Sequence, residues 1–369
     1  MRTIKDIDNY AGVRVFLRAD FNVPVLSGAV MDDFRIASAL PTIRFLKERG
    51  AKIILASHFE GKEENSLYPV FEYLQQFFPL TFEKEYLGSS AFVDTMKGGD
   101  IVLLENLRLN PGEKENNEQF AKSLASLADV YVNEAFPASH RTHASIVGVP
   151  KFIPGYAGFR FIEEATQLGG IMNPEHPFTF ILGGAKFDTK LPLIEKFFSL
   201  ADTVVVAGAL ANNFLKEKGL SIGKSLYTEG DFNLGNFLND ERLILPEDVV
   251  VERRGTSLSI PVSHIQDNDR IVDAGEHTLE KIVDAVKRSK SLLWNGPLGA
   301  YEESFTEGTL AVAKAIADSD AHSVVGGGDT IAAIAKLKLN DKFSFISTGG
   351  GAMLDFLAKG TLPGIEALS

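Results

Sequence analysis

Apolar runs of four to six residues, rich in Val, Ile, Leu and Phe, alternate with segments of helical period in both halves of this chain. That alternation marks an α/β protein built on parallel sheets covered on both faces. At 369 residues the chain is too long for one ordinary core, and at about 100–200 residues per domain it reads as two domains. One helix carries Ile36, Leu40, Ile43 and Leu46 and stops at Gly50, with Pro41 as a kink; another carries Phe120, Leu124 and Leu127. In the second half Leu279, Ile282 and Val286 mark a helix, and Gly308-Thr309 opens the next. Between the halves, residues 150–177 hold Pro150, Pro154, Pro174 and Pro177, offer no strand, and contain a short helical pattern around Phe161-Leu168. This stretch reads as a stiff connector or hinge.

The ends of the runs separate the halves chemically. Val13-Leu17 leads to Arg18, Asp20 and Asn22, Ile53-Ala56 to His58, Ile101-Leu104 to Arg108, and Val130-Val132 toward His140 and Arg141. In the second half the exits are Gly183-Gly184, Gly208, Asn295-Gly296, Gly326-Gly327-Gly328 and Gly349-Gly350-Gly351. Open α/β sheets bind ligands beyond the carboxyl ends of their strands. The first edge suits an anionic small molecule, because clustered guanidinium groups bind oxyanions in bidentate fashion and stay charged. The second suits a phosphate chain.

Composition narrows the partners. With 37 basic and 49 acidic side chains the net charge is -12, which argues against a nucleic-acid surface or an anionic membrane. The absence of cysteine excludes disulfides, thiolate metal sites and cysteine nucleophiles. Met1-Arg2-Thr3-Ile4-Lys5 has no apolar signal-like stretch, and no run approaches a membrane span. The expectation is a cytoplasmic protein. His140 and His143 have no third partner at a suitable spacing, so zinc is rejected. His176, His264, His277 and His322 receive no role, and Trp294 is expected to end a buried strand.

Phe178-Leu182 is followed by Gly183-Gly184-Ala185-Lys186-Phe187-Asp188-Thr189-Lys190-Leu191-Pro192, with Pro192 suited to a first helical position. Lys186 and Lys190 then flank a glycine turn at a helix N-terminus, where free amides and the helix dipole favour an anion; the bland alternative is two solvated lysines. Gly326-Gly327-Gly328-Asp329-Thr330 and Ser347-Thr348-Gly349-Gly350-Gly351-Ala352 repeat the pattern of strand, glycines and helix start. Glycines let amides approach phosphate oxygens, and Asp329 is either a Mg²⁺ ligand or an N-cap. Gly219-Leu220-Ser221-Ile222-Gly223-Lys224-Ser225 is one residue short of a phosphate loop, and no G-x-G-x-x-G occurs.

Taken together, these segments resemble the phosphoglycerate kinase family over essentially the whole length. The resemblance is carried by Arg18-Ala19-Asp20-Phe21-Asn22-Val23-Pro24, Asp33-Phe34-Arg35-Ile36, Ser57-His58, Leu104-Glu105-Asn106-Leu107-Arg108 and Ala138-Ser139-His140-Arg141-Thr142-His143-Ala144-Ser145. It continues through Leu182-Gly183-Gly184-Ala185-Lys186, Trp294-Asn295-Gly296-Pro297 and the two triple-glycine loops. It implies two Rossmann-like domains with parallel sheets joined by a hinge. Residues 1–155 with a returning tail at about 355–369 would bind phosphoglycerate, and 156–354, including the hinge helix, would bind nucleotide.

The implied activity is reversible phosphoryl transfer between 1,3-bisphosphoglycerate and ADP, giving 3-phosphoglycerate and ATP in a Mg²⁺-dependent reaction of a monomer. Asp20, Phe21, Asn22, Arg35, His58, Phe59, Glu60, Gly61, Arg108 and Arg141 would bind the acid. Lys186, Lys190, Asn295, Glu302, Gly326, Gly327, Gly328, Asp329 and Thr330 would bind ADP or ATP, with Asp329 on Mg²⁺. Arg35, Lys186, Gly327 and Gly350 would act on the transferring group.

Several positions depart from the family pattern. Ala207-Gly208-Ala209 replaces a glycine triplet on the expected adenine wall, which would narrow that groove. Phe59-Glu60-Gly61-Lys62 replaces Leu-Gly-Arg-Pro after His58, so a substrate-side arginine is missing and Lys62 could supply only its charge. Glu276 stands where proline is usual, Leu191-Pro192 alters the helix opening, and the chain is somewhat short. These changes motivate an alternative, a catalytically weak nucleotide-binding relative with a regulatory role.

Overall fold

The computed structural model describes residues 1–61, 65–87 and 91–369; Lys62 lies outside them. The chain separates into two compact units, Met1–Thr166 with Lys359–Ser369, and Gln167–Ala358. The division falls inside the helix Phe159–Gly170.

In the first unit the strands are β1 (Arg14–Arg18), a small hairpin of β2 (Val25–Leu26) and β3 (Ala29–Val30), β4 (Lys52–Ala56), β5 (Thr81–Glu83), β6 (Ile101–Leu104), β7 (Val130–Asn133) and β8 (Gly155–Ala157). Outside the hairpin they form one parallel sheet in the order β5-β6-β4-β1-β7-β8. All four residues of β6 are buried, as expected for a strand covered on both faces. The register sets Arg18 against Ala56 on one side and Asn133 on the other. The residues that follow β1, β4 and β7 therefore leave the sheet at one level. The helix Phe34–Glu48 buries Ile36, Leu40, Ile43 and Leu46 and accommodates Pro41 in its interior, and Gly50 beyond it adopts φ 76°. β8 corrects the expectation of a strand-free connector. Its three residues, Gly155-Tyr156-Ala157, are too few to announce a strand, and only the pairing with β7 and a bridge to Thr3 reveal it.

The second unit contains β9 (Phe178–Leu182), β10 (Thr203–Val206), β11 (Leu243–Ile244), β12 (Asp248–Arg253), β13 (Thr256–Pro261), β14 (Arg270–Ala274), β15 (Ser291–Asn295), β16 (His322–Gly326) and β17 (Phe345–Ile346). Its parallel sheet runs β11-β10-β9-β15-β16-β17, so the strand order reverses between β9 and β15. β12, β13 and β14 form a separate antiparallel sheet. Leu182, Val206, Asn295 and Gly326 pair in register, which lines up the residues after them, Gly183, Ala207, Gly296 and Gly327, along one edge. Behind that edge Phe180 and Phe197 pack with ring centroids 4.5 Å apart, and truncating either buried ring to alanine would cost about 3–5 kcal/mol.

The helix after β9 corrects a second expectation. It spans Phe187–Phe198 with Lys186 as N-cap, so Pro192 lies inside it rather than at its start. The missing amide of Pro192 forfeits the bond to the Asp188 carbonyl, a loss the helix tolerates while it buries Leu193, Ile194, Phe197 and Phe198 on one face.

Candidate functional site

In the first unit the loop ends carry a buried basic cluster. Arg18 is fully buried; its Nε donates to Ser145 Oγ at 2.7 Å, its Nη1 to the Ala19 carbonyl, and its Nη2 meets His58 Nδ1 at 3.1 Å. Because a guanidinium only donates, His58 Nδ1 accepts, and its Nε2 carries the hydrogen. Ser145 in turn donates through both N and Oγ to the buried carboxylate of Glu113, at 2.9 and 2.6 Å. Burial pushes the His58 imidazolium well below its usual range, and Arg18, Arg108, Arg141 and Arg35 push the same way. Burial and the same kind of charge lower His143 to about 4. Arg35 Nη1 donates to Asp20 Oδ2 and to the Asn22 carbonyl, both at 3.1 Å.

Asn106 organises the neighbouring loop. Its Oδ1 accepts from the amides of Phe59 and Arg108, each at 3.0 Å, and its Nδ2 donates to the Phe59 carbonyl at 2.8 Å. Asn22 Oδ1 accepts from the amide of Glu60 at 2.9 Å. The structure thus gathers Asp20, Asn22, Arg35, His58, Glu60, Arg108 and Arg141 around one sheet edge. Phe21 and Phe59 sit there through their backbones, while their side chains belong to the core; Gly61 ends the described part of this loop.

In the second unit a cavity of about 660 Å³ opens at the carboxyl ends of β9 and β15, where the strand order reverses. That is the crevice where open α/β sheets bind ligands. Lys186, Lys190, Asn295, Glu302, Gly327, Gly328, Asp329 and Gly350 line it, whereas Gly326 and Thr330 lie behind the lining. Thr330 Oγ1 accepts from the amide of Gly296 at 3.0 Å, and a Cβ on Gly326 would meet Met353 Sδ at 2.2 Å. Gly327 caps the helix Gly328–Lys336 at φ 102°, a conformation only glycine adopts easily, so Asp329 stands in the first turn and is not the N-cap.

The floor is backbone packed on backbone. Gly183 N donates to the Asn295 carbonyl and Gly184 N to the Pro297 carbonyl, each at 2.9 Å, and a Cβ on Gly183 would lie 2.1 Å from that second oxygen. Trp294, fully buried at the end of β15, donates from Nε1 to the Gly296 carbonyl at 2.9 Å. Lys190 Nζ donates to the Gly183 carbonyl at 2.5 Å. Burial lowers Lys190 to about 8, opposed by Asp329 and helped by Lys186. Burial raises the Asp329 carboxyl, Glu302 adds to this, and Lys190 opposes it.

Ala209 lines the cavity, but Ala207 is buried outside the lining, so of the two methyl groups expected to narrow the groove only one faces it. Arg270, Asp273 and Asn212 also line the cavity and carry no motif in the sequence. Asp273 accepts from Gly308 N and Ala274 N at 3.0 and 2.9 Å, and burial raises it to about 6. Arg270 pairs with Glu252 and Glu303 at 2.7 and 2.8 Å.

A family model described as phosphoglycerate kinase matches residues 4–360. A phosphoglycerate kinase of Borreliella burgdorferi is 42% identical over 389 aligned positions that take in 100% of this chain and 99% of that protein. One from Borreliella afzelii is also 42% identical, over 390 positions with the same coverage. Among solved structures, the phosphoglycerate kinase of Coxiella burnetii superposes with a TM-score of 0.86 at 34% identity, covering 99% of this chain and 98% of that one. The enzyme from Pyrococcus horikoshii gives 0.85 at 31%, covering 100% and 98%. With the family model spanning nearly all of its length and full-length relatives at this identity, the chain belongs to the phosphoglycerate kinase family.

Proposed function

We propose that the chain transfers a phosphoryl group reversibly between 1,3-bisphosphoglycerate and ADP, giving 3-phosphoglycerate and ATP, with the acid on the basic cluster of the first unit and the nucleotide in the cavity of the second. The observation that carries the nucleotide assignment is the cavity at the reversal of strand order, lined by Lys186, Lys190, Asp329 and the glycines 327, 328 and 350. For the acid it is the convergence of Arg18, Arg35, Arg108 and Arg141 on a neutral His58.

In this reading Arg35, Arg108 and Arg141 bind oxyanions, Asp20 and Asn22 position Arg35 and the loop of residues 58–61, and His58 offers its Nε2 hydrogen to the acid. Phe21, Phe59 and Gly61 contribute backbone to the same wall. Lys186, Lys190, Asn295, Glu302, Gly327, Gly328 and Asp329 hold ADP or ATP, and Gly326 and Thr330 support that segment from behind. The attacking atom is a phosphate oxygen of ADP or, in reverse, a carboxylate oxygen; both are ionised near neutral pH, so no general base is needed. The chain's task is placement and positive charge, assigned to Arg35, Lys186 and the amides of Gly327 and Gly350.

Mg²⁺ fits this donor set. Among the described residues there is no group of three or more His, Cys, Asp or Glu that could cage a metal, and Asp329 presents a single partly exposed carboxylate. Mg²⁺ is commonly held by one or two carboxylates together with nucleotide phosphates and water. Asp329 would hold it, and bound Mg²⁺ would neutralise phosphate charge. Hinge bending, a cytoplasmic location and a monomeric state are part of the same proposal; no helix among the described residues is long and apolar enough to cross a membrane.

A coupled assay with 3-phosphoglycerate, ATP and Mg²⁺ tests the reading. Turnover that requires all three is expected, and none at saturating Mg²⁺ would overturn it.

A further inference from the structure

We propose that Glu60 is a resident competitor for the acid substrate: its carboxylate occupies Arg108 until an oxyanion of the substrate displaces it, and it thereby sets substrate affinity. The inference rests on the assignment of Arg108 to the acid site.

Glu60 Oε1 lies 2.5 Å from Arg108 Nη1, and the Arg108 side chain is only 4% exposed. The approach is off-axis, so Nε, Nη1 and Nη2 of Arg108 are buried without a well-formed hydrogen bond. A buried guanidinium in that condition needs a counter-charge, and here Arg141 and Arg18 add repulsion. Glu60 is, among the described residues, the carboxylate in ion-pair reach of it. Its geometry is that of a provisional partner: the charge is present, but the paired, in-plane bonds of a carboxylate or phosphate on arginine are not.

The placement is built by the backbone. Asn106 clasps both Phe59 and the Arg108 amide, and Asn22 accepts from the Glu60 amide, so the main chain is pinned from Phe59 to the Glu60 amide while the Glu60 carboxylate stays free to turn. That carboxylate is 49% exposed and already lies 3.4 Å from Lys114, itself 57% exposed. Leaving Arg108 therefore moves Glu60 toward water and a second cation, with little desolvation to oppose it. Substrate binding becomes an exchange of one anion for another on Arg108, and affinity is reduced by whatever the resident pair is worth.

The test compares Glu60→Gln with the wild type, using Glu118→Gln, an exposed residue of the same unit, as a control for net charge. The KM for 3-phosphoglycerate is expected to fall about two- to fivefold in Glu60→Gln, the range of a partly exposed ion pair. The kcat should change less, and inorganic phosphate should raise the melting temperature more than in the wild type. Glu118→Gln should change neither. An unchanged or higher KM in Glu60→Gln, with no larger response to phosphate, overturns the proposal. Arg108→Ala separates the two layers: if it raises KM while Glu60→Gln does nothing, the competitor role alone fails, and if Arg108→Ala also leaves KM unmoved, the acid-site assignment fails and takes the inference with it.

Discussion

Lys190 Nζ donates to the carbonyl of Gly183, 2.5 Å away, so the ammonium of the helix Phe187–Phe198 is anchored on the loop that leads into that helix. Burial holds this lysine near 8, so a large part of it is uncharged at pH 8. A phosphate chain beside it favours the charged form and raises its pKa. Binding of MgADP at pH 8 should take up about half a proton, read by calorimetry in two buffers of different ionisation enthalpy. Lys190→Met should abolish the uptake. In the free protein the sign is opposite in effect: between about 8 and 10.5 the unfolded chain holds the extra proton, so stability rises with pH across that window.

Arg35 is tied to Asp20 and the Asn22 carbonyl but remains one-third exposed, leaving its guanidinium available. Arg35→Ala should lower kcat by about 10²–10³. The Kd for MgADP, measured by calorimetry, should be unchanged, because among the described residues the cavity assigned to the nucleotide is lined by those of the other unit.

Gly183→Ala would set a methyl group 2.1 Å from the Pro297 carbonyl oxygen, a contact that only main-chain movement can relieve. Destabilisation of at least about 3 kcal/mol is expected, with weaker nucleotide binding, and urea unfolding measures it. Gly328→Ala meets no atom within 4 Å and should stay within about 1 kcal/mol of the wild type.

His58 and His143 both have lowered pKa values in the fold, His143 reaching about 4. Below about pH 6.5 the unfolded chain binds protons that the folded unit refuses, so stability falls as pH is lowered through that region. His143→Gln should flatten the slope of stability against pH between about 6.5 and 4 by up to one proton. Denaturant titrations at a series of pH values give that slope.

The sheets were legible because β6, β9 and β15 are buried on both faces and must read as apolar runs, and because glycine is required where the main chains of Gly183 and Pro297 touch. Pro192 misled because a proline at a helix start and a proline tolerated inside a well-packed helix look alike in sequence. Phe21 and Phe59 stand within site motifs, yet alternation of the chain sends their rings to the core. The link from Glu113 through Ser145 to Arg18 joins side chains up to 127 positions apart, and no local spacing announces it. Arg270 and Asp273 reach the cavity from an antiparallel sheet with its own register, so no strand-end rule points to them.

The chain has one tryptophan, and its indole is bonded to the Gly296 carbonyl beneath the cavity assigned to the nucleotide. Nature has in effect installed a single fluorophore at that spot. Titrating MgADP should alter its emission without any label, whereas 3-phosphoglycerate alone should leave the spectrum still, so this one intrinsic signal reports on the second unit.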